Sequence, residues 1–529
     1  MTNEGISTST YVPAPTGGWN ARDPLHAMDP QDAITLENWF PDVSSVTIAP
    51  GFTSYNTNSV LSDTAPAYTL AEYVKADGTR YLLSSRGKGW IDVSTESGAG
   101  TDLTGAVTVT SGKWQSVNFR TNAVSYFIAV NGVDQSVYWD GSGGFKACNY
   151  TNASLSSDAT FSHVNVYRNR LYFVEKNSAR VWYTSAGQAT GALTDAGVDF
   201  GPFLKRGGFA VWTAAWSFST GAGLVDYFLV MSNMGECLVY SGSYPGDAAW
   251  LLAGRVFVPP PLGLSVGSTD IDLARRSFFN LDGNLIIITQ EGCINFGDVF
   301  SKAEDTGSTN RKFTDKIQSA FNFAAKNYSN NYGWEGITNN KNHLCLINIP
   351  ISGNATSEQY VMNTLSGAWC KLTGRNAVSW SNFKGDLYFG GVDGKIYKTG
   401  IGYSTNGTIV AKLQTAYVAA DDIEHVKRLT QVKPLLNVSS TITQYMGVEV
   451  DFKPKPAPQN TFSVSNPSGT AWDTDYWDSF YWGDDDYVAD FWVGVDGVGA
   501  AFSIRMEGNI TDAATINGFH ARFESGGQG

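Results

Sequence analysis

The sequence predicts an all-β protein: a β-propeller of about seven blades, then a C-terminal β-sandwich-like domain, with few short helices. Three observations carry this. A two-strand hairpin returns through the middle of the chain at successive spacings of 45, 46, 55, 58, 59 and 43 residues, close to the roughly 40 to 50 residue blade period of WD40 and kelch propellers. The composition, with 56 Gly, 70 aromatic residues and only 16% charged positions, suits strands and turns and excludes a disordered chain or a helical array. Beyond Tyr397 the repeat stops and alternating strands begin, the pattern of strands covered on one face. At 529 residues the chain exceeds what one hydrophobic core supports, and it divides into an N-terminal extension at 1–55, a propeller at 56–404 and a sandwich at 405–529.

In the N-terminal extension, Asp29-Pro30 reads as an N-cap followed by proline at the first helical position, and Ala33, Leu36 and Trp39 then recur on one side of a short helix. The next apolar run, Val46-Thr47-Ile48, is the expected strand that ties the ring shut by completing the last blade. The repeat markers are Tyr81, Tyr126, Tyr172, Tyr227, Leu285, Leu344 and Leu387. Each opens a largely apolar strand, then a turn containing Gly, Asn or Asp, then a second strand; Leu171-Tyr172-Phe173-Val174 with Val181-Trp182-Tyr183 is one copy. A large sandwich or two barrels also has strands separated by turns, but neither has a reason to keep this period. Phe313, Ile317, Ala320, Phe321 and Ala324 follow helical spacing and predict an amphipathic helix lying over one propeller face. In the last domain, Thr408–Leu413, Val448–Phe452 and Val493–Met506 read as strands, with a proline-punctuated loop at Lys453–Pro458.

The sharpest local feature is Ala471–Asp496. It holds eight aspartates (473, 475, 478, 484, 485, 486, 490 and 496), nine aromatic residues, and no Lys or Arg. Three chemistries compete for it. Calcium binding fits poorly, because Asp473-x-Asp475-x-x-Asp478 lacks the sixth-position glycine and the closing glutamate of an EF-hand loop. Rings stacking on sugars beside carboxylates would give glycan binding. A solvated acidic loop, or a subunit contact beside the sandwich core, is the plainest reading.

Catalytic signatures fail on context. Gly263-Leu264-Ser265-Val266-Gly267 has the letters of a nucleophile elbow, yet Pro259-Pro260-Pro261 precedes it and no helical pattern follows. His26, His163, His343, His425 and His520 show no metalloprotease spacing, and Gly221-Ala222-Gly223 lacks the third glycine of a dinucleotide site. Cys148, Cys237, Cys293, Cys345 and Cys370 are odd in number and far apart, so they read as small core residues and not as a disulfide or zinc framework. No catalytic, cofactor-binding or metal-ligating residue is therefore assigned, no cofactor is expected, and the chain reads as a non-enzyme. It also lacks a run long enough to span a membrane, and its start has neither the basic nor the apolar stretch of a signal peptide, so a protein made in the cytoplasm without stable membrane insertion is expected.

Several motifs resemble one family in order. Gly17-Gly18-Trp19-Asn20-Ala21-Arg22-Asp23-Pro24-Leu25, then Asn38-Trp39-Phe40-Pro41 and Ala49-Pro50-Gly51-Phe52, resemble the opening of the virion proteins that form the tail nozzle or tail hub of short-tailed bacteriophages. Lys205-Arg206-Gly207-Gly208, Gly235-Glu236, Val239-Tyr240-Ser241-Gly242, Pro261-Leu262-Gly263, Gln359–Thr364, Gly367-Ala368-Trp369-Cys370 and the Trp472, Trp477 and Trp482 region are similar to the same group. The resemblance implies a homohexameric ring below the portal and adaptor, contacting tail fibres or spikes and continuing the channel that retains and then conducts genomic DNA. A formal charge of -13 suits that role, since a conduit lined with Lys and Arg would grip the phosphates it has to pass. A propeller that binds or hydrolyses glycans, using carboxylates such as those at Asp473–Asp490, is the alternative from a different class.

Overall fold

The computed structural model describes residues 7–122, 124–219, 224–263, 274–301, 312–353, 355–402, 409–419, 425–439, 441–453, 460–464, 487–488, 490–510 and 512–528. They form two units, one of residues 54–358 and 375–399, the other of residues 1–53, 359–374 and 400–529.

The first unit is the propeller. Blade one consists of Thr69–Val74, Arg80–Ser85, Trp90–Asp92 and Thr101–Asp102, each antiparallel to the next. Its first turn forms because Asp77 accepts the Thr79 N–H at 2.9 Å and Gly78 takes φ of +87°, a left-handed conformation that glycine enters without a Cβ clash. Blades two, three and four repeat this order, running from Gln115 to Ala147, Phe161 to Asp199 and Ala210 to Phe257. Among the described residues blade five has three strands, Phe278–Leu281, Asn284–Thr289 and Gly292–Asn295. Blade six contributes Glu335–Asn339, Leu344–Ser352 and the start of Thr356–Asn363, within which the chain leaves this unit. Blade seven is Ala377–Phe383, Asp386–Gly391 and Ile396–Thr399, completed by Phe52–Asn56 from the start of the chain.

The continuous apolar runs of the repeats have a direct physical cause: alternate residues of one strand enter different cores. Leu83 packs with Trp90, Trp114 and Phe127 between blades one and two, while its neighbour Leu82 packs with Tyr55, Phe383 and Ile396 between blades one and seven. Leu171 and Phe173 face blade two, and Tyr172 and Val174 face blade four. Phe228 and Val230 face blade three, and Leu229 and Met231 face blade five. Each such side chain contributes about 1.5–3 kcal/mol by leaving water, so every strand counts twice. Because the core that holds Leu82 joins the first blade to the seventh, the modules close into a wheel. All five cysteines are buried and unpaired by disulfides, the structural role expected.

Two local expectations are corrected. The segment after Asp29-Pro30 is not a helix: Asp32–Glu37 and Trp39–Pro41 are strands, and the only helical turn nearby is the 3-10 turn Leu25–Ala27. A register shift between Ala33 and Thr35 and the left-handed Asn38, at φ of 57°, break the alternation and place Ala33, Leu36 and Trp39 in the core at three-residue spacing. The ring-closing strand is Phe52–Asn56, one strand later than Val46–Ile48, which pairs instead with Trp39–Pro41 and with the strand Ala514–Gln528. The amphipathic helix is present as Gln318–Tyr328 after a 3-10 turn at Asp315–Ile317, and it buries Ile317, Phe321 and Ala324 against the strands Gly292–Asn295 and Leu344–Ser352.

The second unit contains two sets of strands. In one, Ser7–Pro13 and His425–Val438 flank Ala514–Gln528, with Tyr11 opposite His520 and Lys433 opposite the same histidine. In the other, Gly18–Trp19, Asp32–Glu37, Ile409–Thr415, Phe502–Ile510, Ile442–Val450 and Asn460–Val464 follow in that order. The alternation read at Thr408–Leu413 is seen over residues 410–413, where Ala411 and Leu413 are buried and Val410 and Lys412 are not, whereas the one read at Val448–Phe452 is not: Val448 and Glu449 are both buried, and the strand Ile442–Val450 ends before the turn at Asp451 and Phe452. Val493–Gly499, paired to the first set, packs across on Ile442–Val450, where a Cβ on Gly497 would lie 2.8 Å from Val448.

Candidate functional site

A propeller brings its inner strands together around one axis, so the axis is where residues far apart in sequence meet. Here a short 3-10 turn, Ala274–Arg276, occupies it. Although this turn leads into blade five, the fully buried Arg275 donates from Nη1 to the Asn131 carbonyl at 3.0 Å and the Ser162 carbonyl at 3.2 Å, and from Nη2 to the Lys113 carbonyl. Arg276 donates to the Trp114 carbonyl at 2.9 Å and the Thr69 hydroxyl at 3.2 Å, and pairs with Glu335 at 3.5 Å. Ser277 accepts from the Trp212 indole at 3.0 Å, and Glu335 accepts from the Trp380 N–H at 3.0 Å. Three consecutive residues and one carboxylate thus link all seven blades, which is possible only at the hub.

The electrostatics follow from this crowding. Glu335 has its carboxyl pKa raised by burial, with Arg276 opposing the shift. His163, fully enclosed, is lowered to about 3 by burial, reinforced by the positive charge of Arg275. Its Nδ1 accepts from the Thr213 N–H at 3.4 Å, so the neutral ring carries its proton on Nε2. On the rim of the hub, Lys113 stands 4.8 Å over the ring of Tyr332, whose hydroxyl donates to the Tyr68 carbonyl at 3.0 Å. Every charge has a structural partner, and the cluster works as a pin. Sequence reasoning missed it; the one available signal was the pair of adjacent arginines, Arg275-Arg276, just ahead of an apolar strand.

A second concave feature lies in the other unit, a cavity of about 380 Å³. Its buried carboxylate, Glu449, accepts from Gln414 at 2.6 Å, Arg505 at 3.3 Å and Tyr417 at 3.3 Å. Glu37, also on its wall, is paired with Lys371 at 2.5 Å. These groups satisfy one another and raise the Tyr417 phenol through burial and the neighbouring carboxylate.

The residues singled out for chemistry are scattered. His163 is at the hub, His26 is exposed in a 3-10 turn, His343 sits in a tight turn at φ of 49°, and His425 and His520 lie on strands of the second unit. Gly263 is placed, whereas Ser265, Gly221–Gly223, Pro454–Pro458 and Asp473–Asp486 lie outside the described residues. Asp490 pairs with Lys433, and Asp496 is 4.0 Å from Arg428. Among the described residues no group of three or more His, Cys, Asp or Glu side chains is arranged to hold a metal, and no helix is long and apolar enough to cross a membrane.

The motifs that carry the phage resemblance are, by contrast, interlocked. Gly18 pairs with Trp369, and a Cβ on Gly18 would lie 2.6 Å from the Trp369 backbone. Asn363 donates to the Pro41 carbonyl at 3.0 Å. Glu236 accepts the N–H groups of Lys205 at 3.0 Å and Arg206 at 2.7 Å.

No protein-family description matches the sequence, and no curated protein matches it. Among solved structures the chain is similar to Raptor from Chaetomium thermophilum, with a TM-score of 0.38 and 8% identity over 66% of this chain and 29% of that one. It is similar to BamB from Moraxella catarrhalis, with a TM-score of 0.34 and 11% identity over 74% and 97%. The computationally designed Ika8 protein gives 0.32 and 12% over 66% and 99%. These are distant likenesses.

Proposed function

We propose that this chain is a structural protein of a short-tailed phage virion, a tail nozzle or hub that assembles as a homohexameric ring and forms part of the channel that retains and then conducts genomic DNA. In this reading it is made in the host cytoplasm, is incorporated below the portal and adaptor, and meets tail fibres or spikes. The observation that carries the proposal is the spatial pairing of the resembling motifs: Gly18 with Trp369, Pro41 with Asn363, and Lys205-Arg206 with Glu236. Two of these pairs, Gly18 with Trp369 and Pro41 with Asn363, join positions far apart in sequence, so the resembling motifs support one another in the fold. Two further observations support it. A hub pinned by Arg275 and Arg276 makes the wheel a rigid scaffold, and the charge of -13 disfavours a tight grip on DNA. Electron microscopy of the purified protein tests the proposal: rings of copies around an open channel are expected, and a compact monomer that is absent from virion tails refutes it.

A further inference from the structure

The outer edges of the blades are unequal. Blades one, two and three end in two-residue strands, Thr101–Asp102, Lys146–Ala147 and Val198–Asp199, short edges that offer little to a passing strand. Blade four ends in Leu251–Phe257, seven residues without Lys, Pro or acid, and this strand is the outermost of its sheet. Leu251, Leu252 and Phe257, with the adjoining Phe203 and Met234, are between 41% and 63% exposed. No further strand pairs with this edge strand among the described residues, and an apolar patch on a long edge strand is characteristic of a surface that is covered in the working assembly.

The patch is also basic, in a chain that is acidic overall. Glu236, fully buried, pairs with Arg255 at 2.8 Å and fixes the backbone of Lys205 and Arg206. The Arg255 guanidinium holds the Phe203 carbonyl at 2.7 Å, and that of Arg206 lies 4.7 Å over the Phe257 ring while donating to the Met234 carbonyl at 3.2 Å. The buried carboxylate therefore holds Lys205, Arg206 and Arg255 together among exposed rings; the acids nearby that are not buried are Asp199 and Asp247, which cap the Gly201 and Ala249 N–H groups in turns, and Asp298 on the short helix Phe296–Ser301 packed against the strand.

The same chain supplies the complement. Residues 471–486 carry six aspartates and six aromatic residues with no Lys or Arg. We infer that the blade-four edge, with Lys205, Arg206 and Phe257 at its centre, docks the acidic aromatic segment 471–486 of a second copy of this chain. Contact between two different surfaces of one chain is head-to-tail and closes into a ring when the rotation permits. The inference deepens the proposed ring by naming the faces that meet, and it rests on that reading for the segment coming from another copy.

Full-length protein in a sedimentation-velocity series over concentration provides the test, with thermal unfolding as a control for folding. The paired change Lys205→Glu with Arg206→Glu should weaken self-association by at least about tenfold, as should Asp473→Lys with Asp475→Lys and Asp478→Lys; the first also removes the Arg206 hydrogen bond to the Met234 carbonyl, so it is compared well below its own unfolding transition, and the second leaves that transition unmoved. Mixing the two variants should restore association to within about threefold of the unaltered protein, the signature of a direct charge pair. Rings that form equally well with either variant alone overturn this inference and leave the ring reading standing. Reversals that fail to rescue one another, or crosslinks between the patch and residues 471–486 within a single monomeric chain, also overturn it. An unaltered protein that stays monomeric at all concentrations overturns both.

Discussion

At the scale of single residues, the hub sets the strongest expectations. Arg275 satisfies buried carbonyls of blades two and three. Arg275→Ala should cost about 3–5 kcal/mol, because it strands buried acceptors that had a charged donor, and chemical denaturation measures the loss. His163 gives a pH signature. Its native pKa of about 3 lies below the unfolded value near 6.5, so between those limits the unfolded chain binds the extra proton and stability falls as pH falls. Comparing the unfolding free energy of the unaltered protein with that of His163→Gln across pH 3–6.5 isolates this term. The variant should lose up to one proton of slope, about 1.4 kcal/mol per pH unit. Neither residue was legible in advance as part of a hub, since a lone histidine in an apolar strand and a pair of arginines carry no spacing signal; only closure of the wheel brings them together.

At the scale of elements, the second and third strands of each blade were readable from the sequence because both of their faces are buried, as with Leu82 and Leu83. The innermost strands were not picked out; in Gln115–Arg120, which exposes Asn118 and Arg120 and buries only Phe119, the apolar content is too low to mark a strand, whereas Phe161–Tyr167 and Ala377–Phe383 are largely buried but interspersed with polar residues such as Ser162, His163, Ser379 and Ser381. The supposed helix at residues 29–39 failed because a bulge and the left-handed Asn38 imitate helical spacing. The pairing of Ser7–Pro13 with Ala514–Gln528 joins the two ends of the chain, which no local pattern announces. The closing strand offers a direct check. Tyr55 fills the core between blades seven and one and donates to the Ser94 carbonyl at 2.6 Å. Tyr55→Ala should cost about 3–5 kcal/mol through the cavity and the orphaned carbonyl, read by urea unfolding, whereas Val43→Ala, at a position 68% exposed, should change stability by less than about 0.5 kcal/mol.

At the scale of the whole molecule, the period alone predicted a wheel, and the structure closes it through a core shared by the first and seventh blades. The proposed conduit role rests on the interlocked motifs and on charge. A chain of net charge -13 should show negligible affinity for duplex DNA at physiological salt in a filter-binding or anisotropy titration. Binding in the nanomolar range would show that it holds DNA and does not merely let it pass. The most direct measurement of the central claim is an image of the assembled protein by electron microscopy. The expected result is closed rings of six copies around an open channel, with each propeller forming part of the wall; isolated propellers at every concentration would contradict the account.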